Sequence, residues 1–246
     1  MTSCLSVRDC GIHVGLSVRQ LIHGRDGEKG FSAYANMVVI GKLMVKDTER
    51  ESPQTDMAKP FVLYVSGIDT FGQIDTTARS DVNMLMVVNP SDRKMLLVNT
   101  PRDYYVPLHG TTGLPDKLTH AGVYGVHASR QTLEDLYDVE IPHSVRLNFS
   151  SLVKLIDTIG DIEVQSDYAF KTFNRGANVL DSKRALEFAR ERYSFEEGDR
   201  QRGRNQQLVI EGIIAKISEL SNITRYSAIL KALEGTVQTD ISQRYM

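Results

Sequence analysis

With 246 residues, a hydrophobic content of 41% and a formal net charge of −2, the chain has material for one large α/β domain, or one domain with a small appendage. It lacks the general basic field of a protein that coats nucleic acid, so any anion it binds must be held locally. Cys4 and Cys10 are the only two cysteines, and by themselves they do not complete a zinc site.

Residues 1 to about 30 carry glycine at 11, 15, 24, 27 and 30 without sustained periodicity, and read as loops with at most one short strand around Ile12 to Val18. The longest apolar stretch ahead of the linker, Met37 to Ile40, is broken by Gly41 and Lys42. No run of 18 apolar residues and no signal peptide is present. A charged, proline-bearing stretch from Lys46 to Asp56 reads as a linker. Residues 1–56 are therefore expected to be a preceding region with its linker, and residues 57–246 the main domain.

That domain opens on Phe61 to Val65, an apolar β-branched run ended by Ser66-Gly67, which suits a buried central strand. Val82 to Val88 and Lys94 to Val98 flank the turn residues Asn89 to Asp92 and predict an antiparallel hairpin. Ser129 to Tyr137 and Ser151 to Ile159 carry apolar residues at helical spacing, with strands Val145 to Phe149 and Ile162 to Gln165 around the second helix. Asp181 is a plausible N-cap for a helix through Ala185, Phe188 and Ala189. A last helix, about Gly203 to Leu220, would bury Val209, Ile213, Ile214, Ile217 and Leu220. Helices interleaved with mixed strands predict an α/β fold, a three-layer α/β/α sandwich with a mixed central sheet.

Five arginines fall between Arg190 and Arg204. No core buries so many guanidiniums, so they are either solvated or converge on a polyanion, for which arginine's planar fork is suited. Arg79 and Arg102 lie in a second cluster upstream. In an extended strand Arg79 and Asp81 face the same side, and Asp69 leaves the first strand at its C-terminal end, where open α/β sheets bind ligands. Carboxylates gathered there would repel unless a cation lies between them; each acid alone serves equally as a turn cap or a partner for Arg79. Arg190 and Arg192 can serve one anion only if the helix ends near Arg190, because a helix separates i and i+2 by about 200°. Arg202 and Gln206, spaced i,i+4, share a face that this reading places on the first helical turn, where free N–H groups favour a phosphate. Arg200 and Arg204 are expected in solvent, and Lys117 and His120 in a supporting loop. No phosphate-loop, zincin or Gly-x-Ser-x-Gly motif is present, which disfavours an NTPase and a serine hydrolase.

Read in order, Ser66-Gly67-Ile68-Asp69, Arg79-Ser80-Asp81, Asn89-Pro90, Pro101-Arg102-Asp103, Asp116 to Ala121, Ala189 to Tyr193 and Gly198 to Gln207 resemble the LytR-CpsA-Psr family, most nearly its streptococcal capsule-type members. The resemblance spans about Lys59 to Leu233, and because an accessory domain precedes the main one in the streptococcal relatives it implies that residues 1–56 are a partial accessory region with its linker. It implies a phosphotransferase that moves a glycopolymer, of capsule or teichoic-acid type, from an undecaprenyl-pyrophosphate carrier to a peptidoglycan hydroxyl through a phosphodiester. In that scheme Asp69 and Asp81 hold Mg2+, or Mn2+ in its place. Arg79, Arg102, Arg190, Arg192, Arg202 and Gln206 grip the diphosphate, while Asp199 orients an arginine or accepts a proton. Family members carry an N-terminal membrane anchor and work on the outer face of the cytoplasmic membrane, which implies an anchor beyond this chain. The segment Gly235 to Asp240 resembles one that normally continues.

A prenyl tail also needs an apolar tunnel, for which the helix face bearing Val209, Ile213 and Ile217 is a candidate; ordinary core is the competing reading for each. The alternatives on function are a polyprenyl-phosphate-binding module without turnover, and a regulator of envelope synthesis or transcription. Transcriptional control lacks a recognition helix or basic stripe.

Overall fold

A computed structural model describes residues 45–46, 59–74, 77–92, 94–219, 228–229 and 231–241. The readings for Cys4, Cys10, the strand near Ile12, most of the linker and Leu220 lie outside these residues.

Strand β2 (Phe61–Ile68) reads as a continuous apolar run because it is covered on both faces: Phe61, Leu63 and Val65 enter one core, Val62 and Tyr64 the other. It pairs antiparallel with β3 (Ser80–Asn89), which turns through Asn89 to Asp92 into β4 (Lys94–Asn99). The Asn89 and Asp92 side chains close that turn, with Asn89 Oδ1 accepting from the Asp92 amide at 3.2 Å. On its other edge β2 runs parallel to β7 (His143–Asn148), which pairs antiparallel with β10 (Val237–Thr239). Beyond β10 lies β1 (Val45–Lys46), giving a mixed sheet in the order β1-β10-β7-β2-β3-β4. The main sheet thus recruits two residues from the far side of the boundary read at 56.

One face of the sheet is covered by α2 (Val126–Tyr137), the short α1 (Leu118–Ala121) and a ribbon of β5 (Tyr105–Pro107) and β6 (Pro115–Lys117). The other carries α3 (Phe149–Ile159), α4 (Ser182–Arg190) and α5 (Gly198–Ser218). The result is the expected three-layer α/β/α sandwich.

Local chemistry explains the helix starts. Asn148 and Ser151 form a reciprocal capping box for α3, which makes Phe149 its first helical residue rather than the end of β7. Asp181 accepts from the Arg184 amide at 2.8 Å and caps α4, as its position predicted. The strand read at Ile162 to Gln165 is β8 (Ile162–Ser166). It pairs with β9 (Gly176–Leu180) in a separate ribbon under α5 and stays out of the central sheet.

Candidate functional site

A cavity of about 290 Å3 opens where β2 and β7, running parallel, leave the sheet. Asp69 follows β2, Asn148 ends β7 and Phe149 follows it, so chain direction alone delivers them to one edge. Asp81 arrives by a different device. The register between β2 and β3 shifts from Gly67↔Val82 to Ile68↔Ser80, which leaves Asp81 as the extra residue of a bulge. Asp81 and its neighbour Val82 therefore both line the cavity, although strict alternation would separate them. Gly67 permits this crowding, since a Cβ there would sit 2.6 Å from Val82 Cγ2.

The arginines come from three segments. Arg102 lies in the turn after β4, and its Nη1 donates to both Asp81 oxygens at 2.9 Å, with Thr119 Oγ1 adding a longer bond of 3.4 Å. Burial pulls the Arg102 pKa down, but Asp81, Asp103 and Asp199 outweigh it and leave it raised. Its Nε is buried with no hydrogen-bond partner among the described residues. Arg190 is the last residue of α4, stacked 4.5 Å above the Phe149 ring and 3.9 Å from Asp69. Arg192 follows two residues later, with its Nη2 donating to the Tyr193 hydroxyl at 2.7 Å. Arg202, only 8% exposed, is paired to Asp199 at 2.5 Å. Burial, reinforced by Arg102 and Arg192, lowers its pKa against the pull of Asp199.

Two close contacts fix α5 over this site. A Cβ on Gly203 would collide with the Asn99 side-chain nitrogen, so α5 approaches the end of β4 closely just where Arg202 must meet the Arg102 turn. The fully buried Asn205 donates to the Phe188 carbonyl at 3.2 Å, satisfying a last-turn group of α4. The lining residues bring four guanidiniums together with two carboxylates, so the rim favours an anion. Behind it the wall is apolar, with Val65, Leu147, Leu152, Leu186, Val209 and Ile210 among its residues.

Asp69, Asp81, Arg102, Arg190, Arg192, Arg202 and Gln206 all line this one cavity. Arg79 does not: it precedes β3, is exposed, and the bulge removes the alternation that paired it with Asp81. Asp199 stands behind the lining, bonded to Arg202 and 3.9 Å from Arg102 Nε, which favours orientation over proton transfer. Because α5 starts at Gly198, Arg202 and Gln206 lie a turn deeper than expected, away from the helix amino end. Of the proposed tunnel face only Val209 reaches the cavity; Ile213 and Ile217 are core. Arg200 is bound to Glu197 and largely solvated, and Arg204 is half exposed, as expected. Lys117 ends β6 and His120 lies in α1 rather than in the loop expected for both; Lys117 pairs with Asp103 at 2.7 Å and His120 with Asp116 at 2.8 Å, an outer layer next to the Arg102 turn.

Among the described residues no group of three or more acidic, histidine or cysteine side chains is arranged to hold a metal. Asp69 and Asp81 nevertheless offer two hard oxygen donors in one cavity. That set fits Mg2+ taking its remaining ligands from phosphate and water, with Asp81 shared with Arg102.

Fold and site together define an α/β/α protein with an arginine-rimmed, apolar-walled anion cavity. Residues 32–246 match the LytR_cpsA_psr family, and the chain belongs to it. It is 34% identical over 205 residues, 80% of this chain and 67% of that protein, to the polyisoprenyl-teichoic acid–peptidoglycan teichoic acid transferase TagU of Enterococcus faecalis. The crystal structure of B. subtilis TagU superposes with a TM-score of 0.63 at 32% identity, covering 75% of this chain and 78% of that one. The structure of TagT bound to LIIa-WTA does so at 0.63 and 26%, covering 82% and 76%. The chain spans 54–67% of the length of the curated relatives it matches.

Proposed function

We propose that this chain is the catalytic part of a phosphotransferase that moves a glycopolymer of teichoic-acid type from a polyprenyl-diphosphate carrier to a peptidoglycan hydroxyl. The observation that carries the reading is the union of two unlike surfaces in one cavity. Guanidiniums of Arg102, Arg190, Arg192 and Arg202 meet the mouth, and an apolar wall from β2, β7, α3, α4 and α5 lies behind them. A diphosphate head with a prenyl tail has that division, and the relatives' names specify the polymer and acceptor.

In this reading the acceptor oxygen forms a new bond to the phosphorus that bears the sugar. The bond from that phosphorus to the bridging oxygen breaks, prenyl phosphate leaves, and the hydroxyl proton is released. The four arginines hold diphosphate oxygens and the charge that develops on them, which supplies most of the catalysis in phosphoryl transfer. Asp199 holds Arg202 and Asp81 holds Arg102, so each inner guanidinium is aimed before substrate arrives. Mg2+ or Mn2+ at Asp69 and Asp81 would neutralise phosphate charge when bound. The activity belongs on the outer face of the cytoplasmic membrane, where a prenyl-linked substrate and peptidoglycan meet.

Calorimetry at fixed Mg2+ and salt tests it. Farnesyl diphosphate should bind at least about a hundredfold more tightly than inorganic pyrophosphate, the gain from burying only about three or four methylenes at about 0.8 kcal/mol each. Equal affinities would leave a diphosphate site without a lipid carrier.

A further inference from the structure

Arg190 and Arg192 reach the same cavity although a continuing helix would turn them far apart. The residue between them explains how. Glu191 ends α4 in an extended conformation, φ −68° and ψ 129°, so its neighbours fall on one side and its own side chain on the other. That side chain is 3% exposed. Its Oε1 accepts from the Ser194 amide at 2.9 Å and the Ser194 hydroxyl at 3.1 Å, and its Oε2 is paired with Lys171 Nζ.

Lys171 is itself unusual. Its φ of +46° places a non-glycine residue in the left-handed region, between Phe170 and Phe173, which bridge one another. Those two rings pack on Phe188 of α4, and Phe170 also on Phe195, beyond the Arg192 turn. The strained lysine is thus fixed against the very segment that carries the arginines. Burial alone would raise the Glu191 pKa; Lys171 and Ser194 hold it instead at about 2, well below the usual carboxylate range.

A buried carboxylate beside two phosphate-binding arginines is electrostatically the wrong sign for the site. Its retention there needs a geometric reason. We infer that Glu191 and Lys171 form a positioning clamp that fixes the end of α4 and aims Arg190 and Arg192 into the cavity. The inference rests on the reading of those arginines as the anion grip, not on the lipid carrier.

The sign of one measurement separates aim from charge. Removing a negative charge, as in Glu191→Gln, would by Coulomb attraction alone tighten anion binding. The clamp requires the opposite, about a tenfold or greater weakening of inorganic pyrophosphate at fixed Mg2+ and salt, measured on protein shown folded by its thermal midpoint. Lys171→Met should weaken binding in the same direction, and the double variant no more than the worse single one. Unchanged or tighter pyrophosphate binding by folded Glu191→Gln overturns the clamp. Should that variant not fold, Lys171→Met carries the test: about tenfold weakening supports the clamp, and less than about twofold marks Lys171 as one more screened surface charge.

Running farnesyl diphosphate alongside keeps the two readings apart. Pyrophosphate lost in Glu191→Gln, with no gain from the tail in wild type, keeps the clamp and sinks the carrier. The reverse pattern keeps the carrier and sinks the clamp.

Discussion

Replacing Asp240 with alanine would strike the far end of the sheet from the cavity, where β10 is fastened to β7. The Asp240 and Arg130 side chains are each 8% exposed and meet at 2.7 Å. Asp240 also accepts from the Ser144 amide at 2.8 Å and the Ser144 hydroxyl at 3.3 Å, with His143 Nδ1 at 3.6 Å. The variant would strand a buried guanidinium and a buried amide, a class of change that costs about 3–5 kcal/mol. Arg130 keeps one longer bond to the Pro142 carbonyl, 3.3 Å, which argues for the lower end, about 3 kcal/mol. For a domain of this size that corresponds to a fall of roughly 6–12 °C in thermal midpoint.

The pH dependence has a definite sign. Burial pushes the Asp240 pKa up, but His143, Ser144 and Arg130 outweigh it, and the folded value lies below the ordinary 3.8. A depressed carboxylate stabilises the fold above its unfolded pKa and loses that contribution as pH falls through the folded one. Thermal unfolding of wild type and Asp240→Ala should therefore differ most near neutral pH and converge below about pH 4. Adding Arg130→Met should recover part of the loss, because the orphaned charge is then gone. A midpoint shift equivalent to less than about 1 kcal/mol at pH 7 would refute the idea that this pair is a structural fastening.

Two further outcomes concern the site. Asp81→Ala removes both the proposed cation ligand and the carboxylate that holds Arg102, so transfer should be lost while the protein stays folded; full activity, or wild-type activity indifferent to EDTA, would remove the metal role. Arg190→Lys keeps the charge but loses the fork that lies over Phe149, and should cost at least about tenfold in kcat/KM, about 1.4 kcal/mol. Near wild-type turnover would make Arg190 a solvated surface charge.

The sequence by itself determined what is set within a few neighbouring residues. The apolar run of β2, the β3–β4 hairpin around Asn89, the helical spacing before Tyr137 and Ile159 and the cap at Asp181 are all local, and each stands in the structure. Ordered charged blocks along the chain likewise pointed to the family and to seven of the residues that line the cavity.

Tertiary structure decided which way those charges face. Alternation grouped Arg79 with Asp81, but the bulge opposite Gly67 turned Asp81 inward and left Arg79 outside, because strand register depends on the partner. Helical periodicity identified the apolar stripe of α5, yet only packing could divide it into cavity wall at Val209 and Ile210 and core at Ile213 and Ile217. Glu191 gave no sign of itself between two arginines. Its buried carboxylate is paired with Lys171, 20 residues away in sequence, and a contact made across the fold leaves no periodicity in the chain.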